Sequence, residues 1–248
     1  EAERRDHRRL GRELELFTFH EEAPGFAFWL PKGWTLYRQL EAFSREVQRR
    51  RGYQEVRTPW IFKAELWQRS GHWDHYRANM FLVARDEEVL GVKPMNCPGH
   101  CLLYRERVRS YRDLPLKLAE YGPVSRFEPS GTLHGLLRVR GFHQDDAHLF
   151  VREDQIEEQI REVLEIVDEI YSTFGMTYAI KLSTRPEDFM GDPATWDRAE
   201  AALARAVEAT GRPYRVFPGE GAFYGPKLDL DVTDALGRTW QCATIQLD

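Results

Sequence analysis

Apolar positions along the chain repeat with two different periods, and the switching between them sketches the elements. Leu36, Leu40, Phe43 and Val47 follow at steps of four, three and four. That spacing puts them on one face of a helix from Trp34 to Arg51, and Gly52 stops it. The strongest helical pattern joins Ile156, Ile160, Val163, Leu164, Val167, Ile170, Tyr171 and Phe174, with Gly175 in the C-cap position. Residues 1–15 read as a charged helix and 16–32 as a loop-rich entry containing Pro24, Gly25 and Pro31. Shorter helices are predicted around Lys63–Ser70, over 99–109 and over Trp196–Thr210, where Gly211 follows.

Strand-like alternation begins at Tyr53–Thr58 and ends at Pro59, because proline has no N–H to give a ladder. Phe81–Val92 reads as two short strands, and Pro115–Gly122 and Pro123–Glu128 as two strand pieces. His143–Phe150 reads as the return strand of a hairpin, whose mobile loop over 129–141 carries Gly131, Gly135 and Gly141. Met176–Ser183, Tyr214–Phe217, Lys227–Asp234 and Arg238–Leu247 complete the strands, and Gly237 after Asp234-Ala235-Leu236 suits a hairpin turn. Several neighbours are joined by turns too short for parallel crossovers. The pattern predicts an α+β fold around a largely antiparallel sheet.

Composition narrows the function classes. At 248 residues the chain is long enough to bury roughly 70–75% of its unfolded surface. Thirty per cent of its residues are charged, and no run approaches the roughly 18 uncharged apolar residues of a membrane span. A net charge of −5 gives no global footprint for nucleic acid. Any such contact falls to the local clusters Arg45–Arg51 and Arg105–Arg112, which read first as solvated helix faces. Three cysteines and a charged, non-apolar N-terminus fit a reducing, cytoplasmic setting without a disulfide framework. The start without Met and the end within a strand suggest a piece of a longer protein.

Neither common phosphate cradle, Gly-x-x-x-x-Gly-Lys or Gly-x-Gly-x-x-Gly after a strand, is present. A nucleotide would therefore be held by arginine side chains, and Arg126, Arg138 and Arg140 flank the glycine-rich loop. Glu128 lies two residues from Arg126, on the same face if both are in a strand; a wet Arg–Glu cross-strand pair is the alternative. Cys97 and His148 are zinc-type donors without a CxxC or HExxH frame. From spacing alone they read first as a small buried hydrophobe and a core histidine, and His72, His75, His100 and His143 are alternative ligands. The run Gly219 to Lys227 reads either as backbone close to a ligand or as a hairpin connection.

Taken together, several long segments resemble the threonyl-tRNA synthetases, a family of class II aminoacyl-tRNA synthetases. They are Arg5–Gly11, Phe17-Thr18-Phe19-His20, Pro31-Lys32-Gly33, Ser70–Tyr76, Lys93–His100, Arg126–His148, Gly219–Lys227 and Trp240–Asp248. The resemblance implies an α+β fold of the class II type, an antiparallel sheet flanked by helices, with 1–248 as a C-terminally incomplete catalytic domain. It implies activation of L-threonine by ATP, then transfer to threonine tRNA, in a homodimer. Zn²⁺ would be the cofactor, together with Mg²⁺ on ATP. Carried over by position, Cys97 and His148 match two of three zinc ligands. Arg126 matches the α-phosphate arginine, Glu128 the acceptor of the adenine amine, Arg138 the γ-phosphate arginine and Phe142 the adenine stacker. Gln144, Asp146, Tyr224, Lys227 and Gln246 match the threonine pocket, and Gln241 and Thr244 the ATP side of it.

The third zinc ligand and third-motif arginine would lie beyond Asp248, so these residues alone are expected to bind zinc poorly and to show little activity. Phe127, His143 and Ala243 stand where the family pattern has Asn, Thr and Gly. Two other readings are a paralogue that activates an amino acid without charging tRNA, and a non-catalytic RNA-binding module.

Overall fold

The computed structural model describes residues 3–234 and 236–248; the first two positions of the charged N-terminal helix and Ala235 of the predicted turn lie outside them. The chain divides into two compact units, Glu1–Phe150 and Val151–Asp248.

The first unit runs α1 (His7–Glu13), β1 (Phe17–Thr18), β2 (Phe28–Trp29), α2 (Pro31–Arg50), β3 (Gln54–Glu55), β4 (Ile61–Lys63), α3 (Ala64–Arg69), α4 (His72–Tyr76), β5 (Leu82–Arg85), β6 (Glu88–Val92), α5 (Cys97–Arg105), β7 (Leu116–Ser125) and β8 (Gly141–Phe150). Its sheets are β1-β2, β3-β7-β8 and β4-β6-β5. The spine is the antiparallel β7–β8 hairpin, paired over ten residues from Leu116↔Phe150 to Ser125↔Gly141, with β3 parallel to β7 at Gln54 and Glu55.

The two strand pieces predicted on either side of Pro123 are one continuous strand, β7. Ala119 O accepts from Val56 N, and Ser125 N donates to Lys93 O, so the odd-numbered backbone groups of β7 face away from β8. Pro123 shares that parity, and its missing N–H costs no bond of the hairpin.

Helix α2 starts at Pro31, earlier than predicted, because proline at the first helical position gives up an N–H that has no partner there. The predicted apolar face does not hold along its length. Val47 is fully buried, but Leu36 is 51% and Leu40 42% exposed. The inward contacts are partly polar instead: Ser44 Oγ and Gln48 Nε2 donate to Asp145 on β8. Gly33 makes the close approach possible, since a Cβ there would lie 1.8 Å from Leu16 O. Helix α5 stops at Arg105, short of the predicted 109, because the Arg109 side chain folds back onto the carbonyls of Tyr104 and Leu103. The Arg105–Arg112 cluster is therefore not one helix face.

The second unit runs α6 (Ile156–Thr173), β9 (Tyr178–Ser183), α7 (Pro193–Glu208), β10 (Tyr214–Phe217), β11 (Lys227–Thr233) and β12 (Thr239–Gln246), with strand order β10-β9-β11-β12. The predicted stripe of α6 buries Ile160, Leu164 and Val167 against Leu203 and Val207 of α7 and Ile180, Leu182, Leu228, Leu230 and Ile245 of the sheet. Asp192 caps α7 by accepting from Thr195 N at 3.0 Å. β9 and β10 are parallel, as α7 forms a crossover between them; the other pairs of this sheet are antiparallel. No helix among the described residues is long and apolar enough to cross a membrane.

Candidate active site

In the first unit the hairpin sorts its residues by parity. Phe142, Gln144, Asp146 and His148 share one face of β8, while Asp145 turns to α2. The N-terminal turn of α5 meets the first set. Asn96 Nδ2 donates to Asp146 Oδ2 at 2.9 Å and to Gln144 Oε1 at 3.5 Å. The asparagine fits because position 122 on β7 is glycine, where a Cβ would lie 2.4 Å from Asn96 Oδ1. That oxygen is buried, with no hydrogen-bond partner among the described residues. Cys97, half-buried, is the first residue of α5. One turn on, His100 Nδ1 lies 2.9 Å from His148 Nδ1. Burial pushes the His148 imidazole below its ordinary pKa, although Asp146 nearby acts the other way.

The same face continues onto β7, where Glu120 lies opposite Asp146, in a buried polar cluster that sequence reasoning missed. Glu120, in the middle of apolar β7, is 1% exposed. It accepts from Thr58 N at 3.0 Å, Thr58 Oγ1 at 2.9 Å, Lys93 Nζ at 3.0 Å and His100 Nε2 at 3.1 Å. Burial alone would raise its carboxyl pKa; the bonds from His100, Thr58 and Lys93 outweigh that and hold it at about 2. The available signal was a lone carboxylate inside the run Leu118-Ala119-Glu120.

The hairpin loop carries the arginines. Arg126 and Glu128 are not on a strand: β7 ends at Ser125, and Glu128 N donates to Arg126 O in a tight turn. Arg126 Nε donates to Pro94 O at 3.1 Å, and its guanidinium lies 5.2 Å from the Phe142 ring centre, within cation–π range. Glu128 pairs with Arg138 instead, at 2.8 Å, with the arginine 55% and the glutamate 13% exposed. Arg140 is structural: it donates to Glu128 O, Pro24 O and Ser130 Oγ.

In the second unit the predicted residues share the sheet face opposite its apolar core. Register pairs Lys227 with Gln246 and Asp229 with Thr244. Asp229, buried and also missed, is the hub: it accepts from Ser183 Oγ at 2.8 Å and Gln241 Nε2 at 2.7 Å, and pairs with Lys227 Nζ at 3.0 Å. Tyr224 donates to Gln246 Oε1 at 2.6 Å. Gln241 has the wrong parity to face Thr244 and Gln246 on a regular strand. A register shift between Leu230 and Asp231 leaves Cys242 extra, and this bulge turns Gln241 back to their side, where its Nε2 lies 3.0 Å from Thr244 Oγ1. The alternation Leu228-Asp229-Leu230-Asp231 was the signal for the buried acids.

The model of the tRNA synthetase class II core domain (G, H, P, S and T) matches residues 78–248, and the chain belongs to that family. Within it the likeness runs to the threonine enzymes. The chain is 70% identical over 248 residues to the threonine–tRNA ligase of Symbiobacterium thermophilum. It is 59% identical over 249 aligned positions to that of Thermotoga maritima. All of this chain is covered in both cases, and it spans 38% and 39% of those relatives' lengths. The crystal structure of the RNA binding domain of threonyl-tRNA synthetase from Cryptosporidium parvum Iowa II superposes with a TM-score of 0.92 at 48% identity, over 98% of this chain and 61% of that one. The resemblance seen in the motifs thus holds along the whole chain.

Proposed function

We propose that the protein carrying this chain is a cytoplasmic threonine–tRNA ligase. It would join L-threonine to ATP, release pyrophosphate, and pass the threonyl group to threonine tRNA as a homodimer, with residues 1–248 as part of its catalytic domain. The observation that supports this best is the 70% identity over every residue to a threonine–tRNA ligase.

The residues suit the roles. Adenylate formation builds negative charge on phosphate oxygens, and cations held in place beforehand stabilise it. Arg126, fixed by Pro94 O, serves the α-phosphate, and the exposed Arg138 guanidinium serves the γ-phosphate. Glu128 accepts the adenine amine once Arg138 turns to phosphate, and Phe142 stacks on the base. In the second unit, Gln241 and Thr244 serve the nucleotide. Tyr224, Lys227 and Gln246 of the same unit serve the amino acid, and Gln144 and Asp146 of the first unit carry that role there. Mg²⁺ enters with ATP.

Asp146 is the residue that makes an alcohol matter. Asn96 fixes one oxygen, and the carboxylate accepts the threonine hydroxyl. Valine would leave that acceptor desolvated and unpaired, a rejection stronger than the roughly 10²-fold that an apolar pocket achieves between isosteres. A thiolate and a neutral imidazole are donors that Zn²⁺ prefers, so Cys97 and His148 fit that metal. Among the described residues no group of three His, Cys, Asp or Glu stands together to hold an ion, so Cys97 and His148 would need further ligands to complete a zinc site. Bound there, Zn²⁺ would supply Lewis-acid recognition of amino and hydroxyl groups.

The test is amino-acid-dependent ATP–pyrophosphate exchange by the whole protein that carries this chain. Threonine should drive it, Arg126→Ala should abolish it, and valine should be poorer by more than about 10²-fold. Exchange with valine within tenfold of threonine would overturn the assignment.

A further inference from the structure

The motif Arg5–Gly11 has no part in the roles assigned above, yet it reaches the loop that carries Arg138. Asp6 caps α1 by accepting from Arg8 N at 2.8 Å. His7 and Gly11, four residues apart, lie on one face of that helix. Both meet Phe17 of β1. The His7 ring stacks on the Phe17 ring with centres 6.4 Å apart. Gly11 lets the helix come close, since a Cβ there would lie 2.4 Å from the Phe17 ring. Phe17 is buried and packs in turn on Trp29 of β2. One face of α1 is therefore seated on an aromatic base, and that seat fixes where the His7 imidazole stands.

Its Nε2 meets the backbone of the hairpin loop. Leu136 N donates to His7 Nε2 at 3.0 Å. A backbone N–H can only donate, so Nε2 supplies the lone pair. Gly135 makes the approach possible: a Cβ there would lie 2.1 Å from His7 Nε2 and 2.9 Å from Arg8 Cγ, and its φ of +50° is in the left-handed region. Leu136 is the centre of a closed turn. His134 N donates to Arg138 O at 3.0 Å, Leu137 N to His134 O at 2.9 Å and Arg138 N to His134 O at 3.3 Å. The turn that His7 holds at its centre is thus the turn that ends in Arg138.

We propose that His7 is a positioning residue for ATP binding: by accepting from Leu136 N–H it holds the tip of the hairpin loop so that Arg138 is presented to phosphate. The proposal rests on the reading of Arg138 given above. Arg138 is 55% exposed and pairs with Glu128 of the same loop, a bond that does not tie the loop to the rest of the unit. Arg140 ties the base of the loop to Pro24 O, and His7 ties its tip. A tip without that tie would spend part of its time with Arg138 out of place. The apparent affinity for ATP would then fall in proportion to the fraction still in place.

Two replacements at one position separate the acceptor from the ring. His7→Phe keeps a ring on Phe17 and removes the acceptor. His7→Gln offers an amide oxygen that can accept from Leu136 N–H. The whole protein that carries this chain would be assayed by ATP–pyrophosphate exchange, on samples shown to be folded by circular dichroism. His7→Phe should lower kcat/KM for ATP about 3–10-fold, mainly through KM, the range set by one hydrogen bond of ordinary net strength. His7→Gln should return it to within about twofold of the wild type, and KM for threonine should stay within about twofold throughout. In an Arg138→Ala background His7→Phe should add less than about twofold, because the two residues act as a unit. Gly135→Ala crowds the same contact from the loop side, leaves α1 unchanged and should reproduce the loss. Wild-type ATP kinetics in folded His7→Phe or Gly135→Ala, no recovery in His7→Gln, or an undiminished loss in the Arg138→Ala background would overturn the proposal and leave the reading of Arg138 standing. An Arg138→Ala protein with the wild-type KM for ATP would overturn both.

Discussion

Removing the charge of Glu120 tests the reasoning about the buried cluster most directly. The carboxylate sits at about 2 rather than its ordinary 4.5, a difference worth about 3 kcal/mol of folding free energy. The folded pKa is depressed, so the contribution is complete above about pH 4.5 and fades as pH falls through that value toward 2. Glu120→Gln keeps the shape but leaves the fully buried Lys93 ammonium without its counter-ion, and breaking a buried pair costs roughly 3–5 kcal/mol. Unfolding would be followed by urea titration of the full chain with tryptophan fluorescence, since Trp67 is fully buried in the same unit. The wild type should exceed the variant by about 3 kcal/mol or more at pH 7, and the gap should narrow steadily between pH 5 and 3. A gap below about 1 kcal/mol at pH 7, or one that does not change over that range, would refute the account of Glu120 as an ionised anchor.

Other outcomes follow from single contacts. Gly33→Ala drives a methyl into Leu16 O and should cost at least the 1–3 kcal/mol typical of overpacking, seen as a lowered Tm; wild-type Tm would show that α2 does not need the approach. Asp229→Ala removes the shared acceptor of Ser183 and Gln241 and the counter-ion of Lys227. It should lower threonine-dependent exchange at least tenfold, and a smaller loss in kcat/KM would count against the second-unit site. Arg138→Ala deletes an exposed partner of Glu128. Unfolding free energy should change by less than about 1 kcal/mol while KM for ATP rises, and an unchanged KM would remove Arg138 from the nucleotide site.

What the sequence made legible was what repeats locally. The α6 stripe, the β7–β8 and β11–β12 hairpins and the motif residues all follow from periodicity or from long matched segments. What escaped depends on partners distant along the chain. Leu36 and Leu40 satisfy helical spacing, yet α2 meets β8 through Ser44 and Gln48, because a polar contact with Asp145 decides its rotation. Pro123 looked like a break because its parity relative to β8 is invisible without the pairing. Glu120 and Asp229 were overlooked because a buried acid makes sense only once its donors, drawn from three separate segments for Glu120, are assembled. The pairing of Arg138 with Glu128, rather than of Arg126, likewise depends on the turn that takes 126–128 off the strand.

The extra residue at Cys242 has a consequence for how this strand tolerates change in length. Thr244 and Gln246 on one side of it and Gln241 on the other are kept in phase only by that one-residue offset. Deleting Cys242 would straighten the ladder and rotate Gln241 toward the helices while its neighbours stay put. A substitution there, by contrast, leaves the phase untouched. The count of residues between 241 and 244 is thus set by the geometry of the sheet rather than by the side chain at 242.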